Sequence, residues 1–393
     1  MLSAADEALA ARDAALPGLA TVLDPSALQA VLAGRFPALA GRTLVPTYLR
    51  YKPGTSCLAG FRADGAEGST WFNVAARTLE AASKFVKFLE RPPLATDLGP
   101  SRAVVADHAL AISVFPDDRR LKALRRLQSA DGRRAILDAL NLPAEATLSL
   151  LRYRPERRLV ARVDRDGTAL AVVKFHRPEA FAAAMANAAA FADGPGLAVQ
   201  RRLAGSARFG AVSGSWLSGS ELAPTASNLR RAGQTLAALH RQNGAALAPL
   251  TAARQRQSAQ AMAAAIAGLC PELGEAAQAV AARIAQSLRA SHFSALHGDF
   301  HLEQILDQGD RIALIDFDEA VRGAAAWDLG NFVAHQAVRA PGTDLADCAA
   351  LLADGYRSGG GCVSEPDLAA QTALGLLRLA TRPFRDRQGD WPA

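Results

Sequence analysis

Two acidic segments about a hairpin apart hold the residues of this chain that could do chemistry together. His297-Gly298-Asp299 is followed, five residues after the aspartate, by Gln304, and Ile315-Asp316-Phe317-Asp318 comes shortly afterwards. One carboxylate can accept a proton from a substrate hydroxyl or orient it. A second carboxylate and an amide oxygen can hold Mg²⁺ against nucleotide phosphates. The spacing therefore indicates phosphoryl transfer, with Asp299 as base and Gln304 and Asp316 as metal ligands.

Lys174 is a further candidate, because it is the only lysine after Lys122 in a chain that otherwise uses arginine. It lies in an apolar stretch that predicts a strand, and a compact point charge there suits phosphate contact in a cleft. A surface lysine on a strand is the alternative. Asp318 could bind a second ion or cap the following turn.

Three other polar residues near the acidic segments favour structural roles. We expect His297 to hydrogen-bond the backbone of its loop and His240 to pack under that loop. Asp328 precedes a helical pattern, which predicts a helix cap.

The elements that must position these residues fall into two kinds. Residues 1 to about 40 predict short helices. Residues 44–51, 57–62 and 70–76 predict strands, followed by a helix over residues 79–89, and residues 123–140 predict a further helix. Leu49-Arg50-Tyr51-Lys52-Pro53 matches Leu151-Arg152-Tyr153-Arg154-Pro155 about a hundred residues later, and an Asp-Gly turn follows each. We predict a duplicated unit of hairpin, strand and helix, with a chance likeness of two arginine-rich strand starts as the alternative. After Trp216 the patterns are mainly helical, so the fold class is α+β with two lobes.

Composition limits the classes of function. The chain has 393 residues and a net charge of +6, and its arginines are scattered rather than gathered into a stripe with aromatic residues. We therefore expect no nucleic-acid partner. No apolar run approaches the roughly 18 residues that span a bilayer, and the first residues lack a signal-peptide pattern, so we expect no membrane partner and a cytoplasmic location. The four cysteines show no metal-binding spacing.

The acidic motifs together resemble the aminoglycoside phosphotransferase and choline kinase-like family. The family pattern H-G-D-x-x-x-x-N followed by I-D-[FW]-[DE] is here HGDFHLEQ and IDFD, and Trp327-Asp328-Leu329-Gly330 follows. Ala237-Ala238-Leu239-His240 and Trp216-Leu217-Ser218-Gly219 also resemble family segments. The likeness covers roughly residues 148 to 340 and implies a two-lobed, protein-kinase-like fold. It divides the chain into an N-terminal region with the first repeat (1–144), a nucleotide-binding small lobe (145–217) and a helical catalytic and substrate-binding lobe (218–393).

The resemblance also implies the cofactors and the roles of single residues. It implies ATP and Mg²⁺, with a small molecule as the phosphate acceptor, through a hydroxyl of a sugar, sugar derivative or amino alcohol. Asp299 would be the catalytic base, Lys174 would contact nucleotide phosphate, and Gln304 and Asp316, joined by Asp318, would bind the metal. Trp216 and Leu217 would belong to the hinge beside adenine, at residues 213–217.

Three departures from the family pattern leave other functions open. Gln304 stands where asparagine is usual. Asn187 stands about where a glutamate pairs the lysine, so we expect it to give Lys174 a hydrogen bond without charge. The turn at Pro155 has no glycines, so Arg157 or Arg158 would contact phosphate instead of a backbone cradle. A catalytically weak or inactive relative that binds nucleotide or a protein partner is one alternative. A different metal-assisted hydrolase is the other. The sequence indicates no oligomeric state.

Overall fold

The computed structural model describes residues 2–82, 85–289 and 293–392. The first of these residues form a small layer of helices. The bounds of these helices are α1 (Ala4–Arg12), α2 (Leu19–Leu23) and α3 (Pro25–Leu32). Ser3 starts α1 through a capping box with Asp6, and Asp24 starts α3 by accepting from the backbone N–H groups of Ser26 and Ala27. The layer packs against the sheet that follows, because Leu9, Leu19 and Leu28 share one buried core with Phe61 and Phe72.

The first sheet is antiparallel and, within the described residues, five-stranded. Its segment of the chain contains β1 (Thr43–Lys52), β2 (Ser56–Gly65), β3 (Gly68–Arg77), α4 (Leu79–Ala82), α5 (Phe85–Glu90), β4 (Ala95–Thr96), β5 (Gly99–Pro100), β6 (Arg102–Val105) and β7 (Leu110–Val114). The strand order is β1-β2-β3-β7-β6, and β4 and β5 form a separate small pair. Residues 79–82 and 85–90 are helical, as predicted for this stretch.

The second sheet repeats this plan. After α6 (Ala130–Ala139), the elements are β8 (Thr147–Arg154), β9 (Arg158–Arg165), β10 (Thr168–His176), α7 (Pro178–Asn187), β11 (Leu197–Val199), β12 (Arg202–Ser206) and β13 (Ala211–Ser215). The strand order is β8-β9-β10-β13-β12. In each sheet the first three strands form an antiparallel meander. The last strand in the chain (β7 or β13) pairs with the third strand, and the strand before it (β6 or β12) lies at the edge. A single helix predicted over residues 123–140 is wrong. A 3₁₀ segment ends at Gln128, and the Ser129 side chain caps a new helix.

The turns after the two matching strand starts are anchored in the same way. Gly54 and Glu156 both have left-handed backbone, with φ of 61° and 59°. Asp13 accepts from the Tyr51 hydroxyl at 2.7 Å and from the Gly54 N–H at 2.9 Å. Asp118 accepts from the Tyr153 hydroxyl at 2.7 Å and from the Glu156 N–H at 2.8 Å. These shared features support the proposal that the N-terminal region repeats the small-lobe unit.

The remaining chain is mainly helical. Its elements are β14 (Ser220–Glu221), α8 (Ala226–His240), α9 (Ala252–Leu269), α10 (Gly274–Ser287), β15 (Ser294–Leu296), β16 (Ile305–Asp307), β17 (Ile312–Leu314), β18 (Val321–Gly323), α11 (Ala326–Arg339), α12 (Leu345–Ser358), α13 (Glu365–Leu379) and α14 (Arg382–Arg385). Glycines let the helices approach closely: a Cβ on Gly233 of α8 would lie 2.2 Å from a backbone oxygen of α12. The predicted two-lobed α+β fold is confirmed. Among the described residues, no helix is long and apolar enough to cross a membrane.

We expect the carboxylate of Asp118 to be a large contributor to stability. It is fully buried and also accepts from the backbone N–H groups of Arg120 and Leu121, so Asp118→Ala leaves several buried donors without partners. The free energy of unfolding should fall by about 3–5 kcal/mol, measured by urea denaturation. Asp138→Ala, at an exposed position of α6, should change it by less than about 0.5 kcal/mol. Equal effects of the two substitutions would contradict this account.

Candidate active site

The loop that carries Asp299 depends on a glycine at its centre. Residues 297–299 follow β15 and precede a short 3₁₀ turn, Leu302–Gln304. Gly298 has φ of 85°, and a Cβ there would lie 1.8 Å from the backbone oxygen of Glu319. Only glycine fits this conformation and this close approach. The loop therefore lies directly against the segment that contains Asp316 and Asp318.

Asp328 holds this loop from beneath. Its fully buried carboxylate accepts from the backbone N–H groups of His297 at 2.7 Å and Gly298 at 2.9 Å, and it lies 3.0 Å from His240 Nε2. The neighbouring Trp327 donates its indole N–H to the Gly298 carbonyl at 3.0 Å. Asp328 is structural, as expected, but the prediction of a helix cap is wrong, since its side chain bonds a distant loop. His240 packs under the loop through this contact.

The imidazole of His297 joins the two acidic segments. It is fully buried, its Nε2 lies 2.9 Å from the Ile315 carbonyl, and its Nδ1 lies 3.4 Å from the Asp299 N–H. Burial lowers its pKa, which favours the neutral ring. A neutral ring protonated on Nε2 satisfies both contacts, because that nitrogen then donates and Nδ1 accepts. One side chain thus fixes the spacing of the segments that begin at Asp299 and at Asp316.

Two histidines surround the carboxylate of Asp299. His301 Nε2 lies 3.6 Å and His335 Nε2 lies 4.0 Å from its oxygens, and the two rings stack at 4.1 Å. Burial alone would raise the pKa of Asp299, but the hydrogen bond with His301 and the neighbouring imidazole rings hold it well below its usual range. Burial and His301 lower the pKa of His335 to about 3. Asp299 is therefore ionised and His335 neutral near pH 7.

Sequence reasoning missed His301 and His335, although spacing offered a signal for each. His301 is two residues past Asp299, and His335 is seven residues past Asp328. Seven residues make two turns of a helix, so His335 and Asp328 share one face of α11. The ligand atoms of Asp299, His301 and His335 lie within 4.8 Å of one another, which makes them a group able to hold a metal ion. Two imidazoles and one carboxylate suit a transition metal better than Mg²⁺.

Asp316 and Asp318 share two cations from the second sheet. Lys174 Nζ lies 2.6 Å from Asp316 and 2.8 Å from Asp318, and Arg158 contacts both carboxylates. Burial would raise the pKa of Asp316, but Lys174 and Arg158 lower it far below the usual range. The pairs therefore hold near neutral pH, and their contribution to stability is lost only as the pH falls through that lowered pKa.

The other predicted site residues differ in what they contact. Asn187 donates to the backbone oxygen of Asp318 at 2.9 Å, so the expected bond to Lys174 is wrong and the lysine pairs the aspartates instead. Gln304 is buried, with Nε2 3.2 Å from His301 Nε2, and its backbone oxygen accepts from Ile315 next to Asp316. Arg157 is exposed and, within the described residues, has no side-chain bond.

The predicted hinge follows β13 at the edge of the cleft. The Trp216 N–H donates to the Leu170 carbonyl at 3.2 Å, and the Arg162 guanidinium lies over the Trp216 ring at 5.8 Å. Leu217 is half-buried. A cavity of about 20 Å³ between Lys174, Val212 and Asp318 marks the cleft between the lobes.

A second cavity, of about 150 Å³, lies beside His301 and His335. Its charged lining is balanced, with Glu303 and Asp386 against Arg339 and Arg382. Arg382 pairs with Asp386 at 2.9 Å, and Arg339 pairs with Glu221 outside the cavity. The cavity next to Asp299 is therefore polar without a strong net charge.

Several solved structures and one family model are similar to this chain. No curated protein matched the chain. Similar solved structures include a macrolide 2′-phosphotransferase from Brachybacterium faecium, at 21% identity over 60% of this chain and 84% of that one, with a TM-score of 0.44. A choline/ethanolamine kinase family protein from Mesorhizobium loti shares 18% identity over 65% and 85% of the two chains, with a TM-score of 0.47. Choline kinase LicA from Streptococcus pneumoniae shares 15% over 63% and 88%, with a TM-score of 0.46.

More than half of the chain, residues 144–362, matches the model of the phosphotransferase enzyme family. That span contains both acidic segments, the lysine strand and the helix that carries Asp328. The chain therefore belongs to the phosphotransferase enzyme family and is a phosphotransferase.

Proposed function

We propose that this protein transfers the γ-phosphate of ATP to a hydroxyl of a sugar, sugar derivative or amino alcohol. The observation that carries the proposal is the contact of one buried imidazole, His297, with both acidic segments. A phosphotransferase needs a base and a phosphate-binding group at a fixed separation. In this proposal residues 145–217 bind nucleotide and residues 218–393 supply the base and the acceptor site.

Asp299 is the proposed base. Its lowered pKa keeps it ionised, and its carboxylate is partly exposed, so it can accept a hydrogen bond from an incoming hydroxyl. As the hydroxyl oxygen attacks the γ-phosphorus of ATP, its proton moves to this carboxylate, the bond from the γ-phosphorus to the bridging oxygen breaks, and ADP leaves. His301 and His335 limit how the carboxylate can turn. Asp328 acts through the loop backbone, which makes it a positioning residue.

Asp316, Asp318 and Gln304 are the proposed metal ligands. Their oxygens are of the hard kind that Mg²⁺ prefers, and the two carboxylates already attract two side-chain cations. When bound, Mg²⁺ would neutralise charge on the phosphate oxygens. Lys174 and Arg158 would then turn from the carboxylates to the phosphates, and Trp216 and Leu217 would lie beside the base of the nucleotide.

The acceptor is proposed to be a neutral or singly charged small molecule. The cavity beside Asp299 has balanced charge, and its arginines are already paired with carboxylates. A polycationic acceptor would need uncompensated carboxylates there. A hydroxyl-rich ring or an amino alcohol fits this lining better.

A second candidate function is nucleotide binding without efficient transfer. Its support is the pairing of Lys174 with both aspartates, together with the bond of Asn187 to the Asp318 backbone instead of to the lysine. Phosphate transfer to any acceptor above the rate of ATP hydrolysis would exclude this candidate.

We expect Asp299→Asn to lower kcat by roughly 10²–10⁴-fold while leaving ATP affinity nearly unchanged, because the amide cannot take the proton. The measurement is a coupled ADP-release assay across a panel of sugars and amino alcohols, with calorimetry for ATP. Asp310→Asn removes an exposed carboxylate on the neighbouring hairpin and should retain wild-type activity. A rate of Asp299→Asn equal to wild type would make the base assignment wrong.

Nucleotide binding should depend on Mg²⁺ and on Asp316. In calorimetric titrations, Mg²⁺ should tighten ATP binding to wild type, and Asp316→Asn should weaken that binding by about tenfold or more, since one metal ligand loses its charge. Asp310→Asn again serves as the control. Well-folded wild type that binds no ATP with Mg²⁺ would overturn the proposed function.

A further inference from the structure

A large cavity lies on the first sheet, away from Asp299 and Asp316. Its volume is about 450 Å³, and side chains of β3, β6, β7 and α5 line it together with Lys122 and Glu156. This volume is in the range of small-molecule sites. The cleft between Lys174 and Asp318 on the second sheet measures only about 20 Å³. The roomier of these two cavities thus belongs to the N-terminal region.

The position of this cavity matches the cleft of the second sheet. Leu58 lies four residues after Gly54, and Val160 lies four residues after Glu156. Their partners on the central strands are Ala75 and Lys174. The cavity is lined by Ala75 where the cleft is lined by Lys174. The phosphate lysine is thus replaced by a small apolar residue, and no counterpart of the Asp316 and Asp318 pair lines the cavity.

The cavity carries an excess of positive charge. Arg77, Lys87, Arg91 and Lys122 all line it, and within the described residues none of them forms an ion pair. Two other lining cations are already neutralised. Arg102 pairs with Asp117 at 2.7 Å, and Arg119 pairs with Glu156 at 2.6 Å.

Burial makes this excess charge costly. Arg77 and Arg91 are half-buried, and burial lowers the pKa of each. Neighbouring cations also lower it, Arg119 and Arg50 for Arg77 and Arg125 and Arg102 for Arg91. Glu156 and Asp117 offset part of this effect, but each of these carboxylates is already paired with another arginine. Half-buried cations without an ion pair of their own are unfavourable unless an anion compensates them. A bound anion would therefore be stabilised by charges that the fold compensates only in part.

The same cavity has an apolar wall. Phe85 and Phe88 of α5 line it opposite Ala75 and Ala111 of the sheet, and Arg102 lies over the Phe88 ring at 4.9 Å. Aromatic and small apolar side chains suit a flat or weakly polar group. The lining thus combines one surface for an anion with another for a ring.

We propose that this cavity binds a phosphorylated small molecule, with its phosphate at Arg77 and Arg91 and its organic part along Phe85 and Phe88. Arginine binds phosphate oxygens through paired N–H donors, which is why phosphate is the favoured anion. The site binds without transferring phosphate, because it lacks the lysine and the carboxylate pair. It is distinct from the proposed nucleotide site and does not depend on the proposed function.

The test is calorimetric titration of the full chain with inorganic pyrophosphate and with ADP, in EDTA without Mg²⁺. Wild type should bind pyrophosphate, and Arg77→Gln combined with Arg91→Gln should weaken that binding by about tenfold or more. Lys174→Met, which removes the lysine of the other cleft, should change it by less than about twofold. ADP that binds more tightly than pyrophosphate, and that is weakened in the Arg77→Gln and Arg91→Gln protein, would assign the ring to the aromatic wall. ADP binding no tighter would limit the site to the anionic group.

Control variants separate binding in this cavity from a general effect of removing positive charge. Arg35→Gln combined with Arg283→Gln removes two exposed arginines elsewhere and should leave binding within about twofold of wild type. If the Arg77 and Arg91 variant loses its thermal unfolding transition, Lys87→Gln combined with Lys122→Gln replaces two exposed lysines of the lining and should weaken binding about threefold or more. Pyrophosphate that fails to bind wild type, that binds folded cavity variants equally well, or that is lost in Lys174→Met would overturn the proposal.

Discussion

The buried carboxylate of Asp328 is the interaction on which the site depends. It accepts two backbone N–H groups from the loop of Asp299 and contacts His240, so three separate elements meet at one side chain. Burying a carboxylate costs free energy unless each of its oxygens accepts a hydrogen bond, and both oxygens of the buried Asp328 side chain do so. This requirement fixes the loop, and the loop in turn fixes His297 and the segment that begins at Asp316.

Electrostatics at the mouth of the cleft follow from the same arrangement. Asp316 has left-handed backbone with φ of 63°, which directs its carboxylate to the side of the second sheet. Lys174 of β10 and Arg158 of the neighbouring strand β9 form ion pairs with that carboxylate. The lobes are thus joined by ion pairs at the proposed phosphate and metal site. Under the proposed function, the same side chains would join the lobes and bind nucleotide.

Sequence periodicity and turn residues predicted the elements well because both are local. The α8, α9, α11 and α13 helices follow apolar patterns, and Asp-Gly turns mark the hairpins of both sheets. Asp299 and Asp316 could be named from their spacing because each follows a short strand. The role of Asp328 could not be predicted from spacing. The backbone N–H groups that it bonds are about thirty residues away in the chain, and a helix cap is the usual role of an aspartate at this position in a helical pattern. The partner of Asn187 was wrong for the same reason: the choice between Lys174 and the Asp318 backbone is made by packing of α7.

The turn at Glu156 shows how the two sheets are coupled. Its backbone bonds Asp118, and its carboxylate bonds Arg119 and Arg50, so the turn between β8 and β9 is tied to the N-terminal region on every side. In a lobe with a glycine-rich turn, that turn can lift like a flap while the sheet stays still. Here the non-glycine residue in left-handed backbone is held too firmly for that. The contacts of Glu156 therefore couple any rotation of the second sheet to the first sheet.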